Sequence, residues 1–238
     1  EKLALERKMY ENEKLSSLGR LSTSVAHEVK NPLSSIKAIV QVMREDIKKN
    51  DPLQEDLTII VDEIDRLTKV VNQLLQFAKP GSEVKTSVRI GAVIHSTLVV
   101  LNHEAKQNKI TTFCQIPNDL PEIAADEGAL KEVFFNLLRN AIQAMPSGGE
   151  IHINAHYQPS SHAIQITVTD TGTGIAQGSF QKIFEPFYTT KQTGTGLGLS
   201  IVKKKLEDME ATIHAESNGH GASFVINFPL PEPLLVQT

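Results

Sequence analysis

The sequence predicts an α+β chain, a helical hairpin that pairs with a second copy into a four-helix bundle, followed by an α/β sandwich. Three observations predict it. Apolar or small residues recur at Leu15, Leu18, Ser22, Val25, Val29, Pro32, Ile36, Ile39 and Met43, and again at Leu53, Leu57, Ile60, Ile64, Leu67, Val71, Leu74 and Ala78. Both series alternate steps of three and four, the signature of a heptad seam. A Pro- and Gly-bearing stretch, KPGSEVKTS (79–87), then ends the helical texture. Beyond it, short β-rich runs alternate with amphipathic helical stretches, and glycines concentrate.

Between the two seams lies KKNDP (48–52), a polar turn with a proline placed to start a helix. Two long amphipathic helices across a short turn form an antiparallel hairpin. Alone it leaves an apolar stripe in water, and a homodimeric four-helix bundle is the economical cover. Upstream, Leu3, Leu5, Met9 and Tyr10 lose the register. The domain reading is therefore a helical connector at 1–14, the hairpin at 15–79, a linker or hinge at 80–87, a second domain at 88–231 and a tail at 232–238. In the second domain the β-rich runs are 110–116, 150–157, 163–170, 211–217 and 222–228. The helical runs are 91–106, 127–145 and 197–209.

Composition narrows the function classes. The 238 residues carry a net charge of −4, which builds no basic field for nucleic acid or an anionic membrane. One cysteine, Cys114, excludes a disulfide framework and a cysteine-rich zinc site, and fits a reducing compartment. No apolar run approaches the roughly 18 residues of a membrane helix. The chain begins at Glu1 rather than Met, as expected of a fragment of a longer protein, any upstream sensor or anchor lying outside it. The expected location of this portion is cytoplasmic, with the full-length protein either soluble or membrane-anchored.

The first chemical feature is SVAHEVKNPLSSIK (24–37). With Ser22 at heptad position a and Val25 at d, His27 falls at f, opposite the seam, so it is not a packing residue. Asn31 is four residues on and shares its face. Pro32 removes a helix hydrogen bond to the Glu28 carbonyl and crowds it, at roughly 3 kcal/mol. HEVKN stops one residue short of the zinc motif H-E-x-x-H, and the amide of Asn31 is a poor substitute for the second imidazole.

Three further constellations suit phosphate chemistry. In NLLRNAIQAM (136–145), Asn136 and Asn140 share a helix face and offer neutral oxygens that Mg²⁺ accepts beside phosphate. In TVTDTGTGIA (167–176), Asp170 ends a strand and can accept from an exocyclic amine such as adenine's, while Gly172 and Gly174 let backbone approach a ring. In GTGLGLSIVKKKL (194–206), Gly194, Gly196 and Gly198 lead into a helix whose free N–H groups bind phosphate oxygens. The spacing is neither the Rossmann nor the Walker pattern, and reads as a mobile lid.

Taken in order, these stretches resemble a two-component sensor histidine kinase. SVAHEVKNPLSSIK is similar to the H box, NLLRNAIQA to the N box, DTGTGI and GTGLGLSIV to the two glycine boxes, and FEPFYTTK (184–191) to the F box. The resemblance implies a dimerisation and phosphotransfer hairpin and a Bergerat-type ATP-binding domain, with ATP and Mg²⁺ as cofactors. It makes His27 the phosphoacceptor and Glu28 the acid beside it, and places Asn31 near the phosphoryl group. Neighbours on a helix do not face each other, so Glu28 reaches the imidazole only by a bent rotamer or through the distortion at Pro32. It makes Asn140 the Mg²⁺ ligand with Asn136 beside it, and Asp170 the adenine acceptor next to Gly172 and Gly174. Gly194, Thr195, Gly196, Leu197 and Gly198 become the lid, with Lys191 adding charge. Relatives that hydrolyse ATP carry a glutamate where this chain has Asn136, so the amide fits a kinase. The implied partners are a second copy and a response regulator receiver domain whose aspartate takes the phosphoryl group. An amide at Asn31 also permits phosphatase activity toward that regulator. A nucleotide-binding scaffold and a chaperone- or topoisomerase-like ATPase are the competing readings. His27, Asn140 and Asp170 argue against the first, the H box and Asn136 against the second. Cis and trans transfer across the dimer are left open.

Overall fold

The computed structural model describes residues 28–48, 51–78, 85–191, 194–217 and 219–230, with the side chains of 76–78 excepted. The expected connector at 1–14, His27, the linker at 80–84 and the tail lie outside the described residues. The chain divides into two compact units, Glu1–Pro80 and Gly81–Thr238.

In the first unit, helix α1 covers 28–46 and runs unbroken through Pro32. Helix α2 is Leu53–Ala78. The turn between them is built by Asp51. Its amide donates to the Lys48 carbonyl at 2.9 Å, and its Oδ1 accepts the Leu53 amide at 3.0 Å, capping α2 just before Pro52 fixes its first turn. Gln54 Nε2 donates to the carbonyls of Arg44 and Ile47, at 2.8 and 3.1 Å, and so satisfies orphan acceptors at the end of α1. The helices meet through Val40, Leu57 and Val61, with Ile47 against them, and through a Lys37–Asp65 ion pair.

Within one chain this contact uses only part of the expected seams. Val40, outside the expected α1 seam, is only 6% exposed, whereas the seam positions Ile36, Ile39 and Met43 stay 46%, 61% and 49% exposed. On α2, Leu57 and Ile64 are buried but Leu53, Ile60 and Leu67 are not. The physical reason is geometric. A four-helix-bundle seam points at the bundle axis, and one hairpin covers that axis only in part.

The second unit is a five-stranded mixed sheet with helices on one face. Its elements run β1 (Thr86–Val88), α3 (Ile90–Gln107), β2 (Ile110–Gln115), β3 (Ile123–Ala125), α4 (Glu127–Gln143), β4 (Gly149–Gln158), β5 (Ala163–Asp170), a 3₁₀ turn at Lys182–Phe184, α5 (Gly198–Asp208), β6 (Thr212–Glu216) and β7 (Ser223–Pro229). The strand order is β2-β4-β5-β7-β6. Only β2 and β4 are parallel; the remaining pairs are antiparallel. The alternation that marked β4 in the sequence places Ile151 and Ile153 in the core and Glu150 and Asn154 in water. Asp126 caps α4 by accepting the Ala129 amide at 3.0 Å. That fixes a helix whose Leu130, Val133, Phe134, Leu137 and Leu138 are at most 1% exposed. Each such side chain contributes about 1.5–3 kcal/mol by burial, so α4 is held rigidly against Ile164 and Ile166 of β5.

The antiparallel pair β1–β3 was not expected, and it takes Thr86 and Ser87 from the expected linker. Three-residue strands are too short to show a period. Among the described residues no helix is long and apolar enough to cross a membrane.

Candidate functional site

The site grows from the rigid α4. Asn136 and Asn140 are partly buried on one face of that helix. Asn136 Nδ2 donates to the Glu132 carbonyl at 2.9 Å, which occupies its amide nitrogen and leaves Oδ1 available as an acceptor. Gly198, the first residue of α5, faces them. A Cβ built there would lie 3.5 Å from Asn136 Oδ1 and 3.9 Å from Asn140 Nδ2. Asn136 and Asn140 and the glycine-rich stretch, far apart in sequence, are thus brought together at the N-terminus of α5. Asn136 turns its amide oxygen toward the N-terminus of α5, and Asn140 lies beside it with its amide nitrogen nearest; neutral side-chain amides at a helix N-terminus are a donor set that accepts a hard cation carrying phosphate, so these residue types fit Mg²⁺.

The glycine-rich stretch is anchored rather than draped. Leu197 is fully buried, and its carbonyl accepts Ser200 Oγ at 2.9 Å. Gly196 has φ +69°, and its carbonyl accepts the Phe187 amide at 3.0 Å. A Cβ on Gly196 would run into the Phe187 backbone, so glycine is required both by conformation and by the close approach. Phe187 is itself left-handed, at φ +68°, a strained geometry for a bulky residue. The Thr195 hydroxyl accepts the Leu197 amide at 3.4 Å. Gly194 lies against the Thr189 hydroxyl and the Lys191 Cβ.

The other end of the site is Asp170, 4% exposed at the end of β5. The amides of Gly172 and Ala222 donate to its Oδ1 at 2.9 and 3.3 Å. Its Oδ2 takes part in neither bond. Burial pushes its carboxyl above the usual aspartate range, against the opposing pull of those two amides and of Lys191. The loop between β6 and β7 completes this end. Ser217 Oγ donates to the Gly221 carbonyl at 2.6 Å and accepts the Ile175 amide at 3.1 Å. Gly174 lies against that hydroxyl. The Asp170 amide donates to the Ala222 carbonyl at 2.9 Å. The end of α4 closes on the same spot, where the Ala144 carbonyl accepts the Thr173 amide at 3.3 Å and touches Gly172. Lys191 Nζ donates to Gln143 Oε1 at 2.9 Å.

The second unit therefore gathers Asn136, Asn140, Asp170, Gly172, Gly174, Lys191 and the 194–198 stretch around one face of α4. Glu28 and Asn31 belong to the other unit and are exposed on α1; the Asn31 carbonyl accepts Ser35 Oγ at 3.1 Å. Sequence reasoning missed Gln143, Ser217, Gly221 and Ala222. Gln143 had a readable signal, since it follows Asn140 by three and Asn136 by seven on one helix face. The other three had none, because their nearness to Asp170 is created by the β5–β7 pairing.

Residues 17–83 match the "His Kinase A (phospho-acceptor) domain", and residues 125–232 match the "Histidine kinase-, DNA gyrase B-, and HSP90-like ATPase" family. The chain is 37% identical over 227 residues to the signal transduction histidine-protein kinase AtoS of Escherichia coli K12, covering 94% of this chain and 37% of that protein. It is 35% identical to sporulation kinase A of Bacillus subtilis 168, covering 96% of this chain and 37% of the relative. The chain thus spans little more than a third of the length of these relatives. Among solved structures, the catalytic domain of histidine kinase ThkA is 31% identical, with a TM-score of 0.56 over 62% of this chain and 99% of the other. Full-length ShkA in complex with AMPPNP is 25% identical, with a TM-score of 0.74 over 89% and 46%. ThkA in complex with the response regulator TrrA is 28% identical, with a TM-score of 0.69 over 96% and 66%.

A phospho-acceptor hairpin followed by this ATPase-type domain defines a protein-histidine kinase. The chain belongs to the two-component sensor histidine kinases.

Proposed function

We propose that a homodimer of this chain phosphorylates itself on His27 from MgATP and passes the phosphoryl group to an aspartate of a response regulator receiver domain. The observation that carries this is the juxtaposition on α4. A buried strand-end carboxylate lies at one end of its polar face, and paired asparagines meet the N-terminus of α5 at the other. The AMPPNP complex of ShkA and the response regulator complex of ThkA support it.

Asp170 Oδ2 accepts from the adenine amine while Oδ1 is held by Gly172 and Ala222. Asn140, with Asn136 beside it, would hold Mg²⁺, and the ion when bound would supply positive charge against the phosphates. The N–H groups at the start of α5 receive phosphate oxygens. Thr195, Leu197 and the glycines at 194, 196 and 198 exclude water above them. Catalysis here is positioning and charge neutralisation. The His27 imidazole attacks the γ-phosphorus, an N–P bond forms, the bond to the bridging oxygen breaks and ADP leaves. Glu28 holds the other ring nitrogen in the tautomer that keeps the attacking one nucleophilic. An amide at 136 takes no proton from water, which favours transfer over hydrolysis. Asn31, exposed one turn beyond His27, can orient a water in the reverse role of regulator phosphatase.

Incubation with γ-labelled ATP and Mg²⁺ is expected to give acid-labile, base-stable label. Asn140→Ala should lower its rate of formation on the order of 100-fold. Normal Mg²⁺-dependent labelling in that variant would remove Asn140 from the metal site.

A further inference from the structure

Between the base carboxylate and the asparagine row lies a side-chain pair that neither explains. Lys191 Nζ donates to Gln143 Oε1 at 2.9 Å. Gln143 stands about 4.5 Å beyond Asn140 along the α4 axis and about 10 Å beyond Asn136. The next residue, Ala144, touches the Asp170 end through Thr173 and Gly172. The order along this face is therefore Asn136, Asn140, Gln143, then Asp170, with the glutamine between cation row and base pocket.

Lysine has a long, flexible stem and keeps its charge in bulk water unless something holds it. Residue 191 is exposed, yet its ammonium is tied down on Gln143. Burial lowers its pKa first and the charge of Arg139 second, with Asp170 opposing. Arg139 lies on the same turn of α4 as Asn140. Its Nε is buried without a hydrogen-bond partner, 3.8 Å from Glu104 Oε1. Arg139 has Glu104 as its counter-charge, whereas Lys191 faces only the Asp170 carboxylate at the far end of this face and a neutral amide beside it, so its ammonium is the charge that a polyphosphate would pair with.

We propose that Gln143 is a positioning residue for nucleotide use, holding the Lys191 ammonium over the middle of the polar face of α4, where the α- and β-phosphates of ATP pass between Asp170 and Asn140. This rests on the ATP reading above. Glutamine suits the task, since its amide oxygen orients the ammonium without cancelling its charge. A carboxylate at the same place would compete with the phosphates.

The test is equilibrium binding of ATP, ADP and adenosine to the whole chain and to Gln143→Ala, Gln143→Glu, Lys191→Ala and the Gln143→Ala/Lys191→Ala double variant. Lys191→Ala is expected to weaken ATP and ADP roughly 10-fold or more while changing adenosine less than about twofold. Gln143→Ala is expected to weaken the same two ligands about fivefold. Because the amide acts through the lysine, the double variant should be within about twofold of Lys191→Ala alone. Gln143→Glu should lose ATP affinity although it keeps an acceptor. In labelling assays KM for ATP should rise with kcat little changed. Equal losses for adenosine and ATP, multiplying losses in the double variant, or an unchanged Gln143→Ala would each overturn the assignment. A parent chain that binds nucleotide with such variants refutes the positioning role alone; a parent chain that binds none refutes the ATP reading with it.

Discussion

Asp170→Asn is expected to bind ATP on the order of 100-fold more weakly than the parent chain, while unfolding at the same temperature or higher at neutral pH. Both backbone donors use Oδ1, which an asparagine retains. The substitution therefore keeps the strand end and loop in place. What it replaces is Oδ2, an acceptor, by an NH₂ group that meets the adenine amine donor to donor. The stability side follows from burial. The folded-state pKa of Asp170 is raised, so the folded chain holds the proton more tightly than the unfolded one. Its contribution to stability is then most favourable below the ordinary aspartate pKa and is lost as pH rises through the raised one. At neutral pH the buried charge is a net cost that asparagine removes. The same shift predicts that ATP affinity of the parent chain falls on acidification while ordinary carboxylates are still ionised, since the protonated carboxyl is a poorer acceptor. Binding titrations and thermal melts across pH check both statements.

Gly221→Ala is expected to cost roughly 3 kcal/mol of stability and to remove most nucleotide binding. Gly221 has φ +108°, a region an L side chain rarely enters. A Cβ there would also overlap the Asp170 carbonyl oxygen and lie 2.8 Å from its carbon. Backbone stands on both sides of the clash, so no rotamer relieves it. The loop must move, and with it go the Ala222 amide bond to Oδ1 and the Ser217 hydroxyl bond to the Gly221 carbonyl. Thermal unfolding and ATP titration of the variant measure the two effects. Gly178→Ala is the control, because its positive φ is similar but a Cβ there meets nothing.

The residues that could be read from the sequence share a property: their partners lie within one helix turn or one strand. Asn136 and Asn140 are four apart on α4, Asp170 ends a strand with clear alternation, and Gly194, Gly196 and Gly198 open a helix. The strands β2, β4, β5, β6 and β7 and the helices α3, α4 and α5 were read within two residues of their ends, because each carries its own period and punctuation. Ser217, Gly221 and Ala222 become site residues only when β7 pairs with β5, a relation no local pattern records. Gln143 sat on a readable face but has a side chain too ordinary to stand out without Lys191 beside it. The α1 seam was real as a pattern, yet Val40 rather than Ile36, Ile39 or Met43 makes the contact within the hairpin. A heptad seam says that a helix has a partner without saying which one.

The most direct measurement of the central claim is phosphoryl transfer from γ-labelled ATP to His27. The chain is incubated with Mg²⁺ and the labelled nucleotide, then digested to locate acid-labile, base-stable label. Label confined to the peptide bearing His27, and absent from His27→Gln even though that variant still binds ATP, is the predicted result. Label that persists undiminished in His27→Gln would contradict the account.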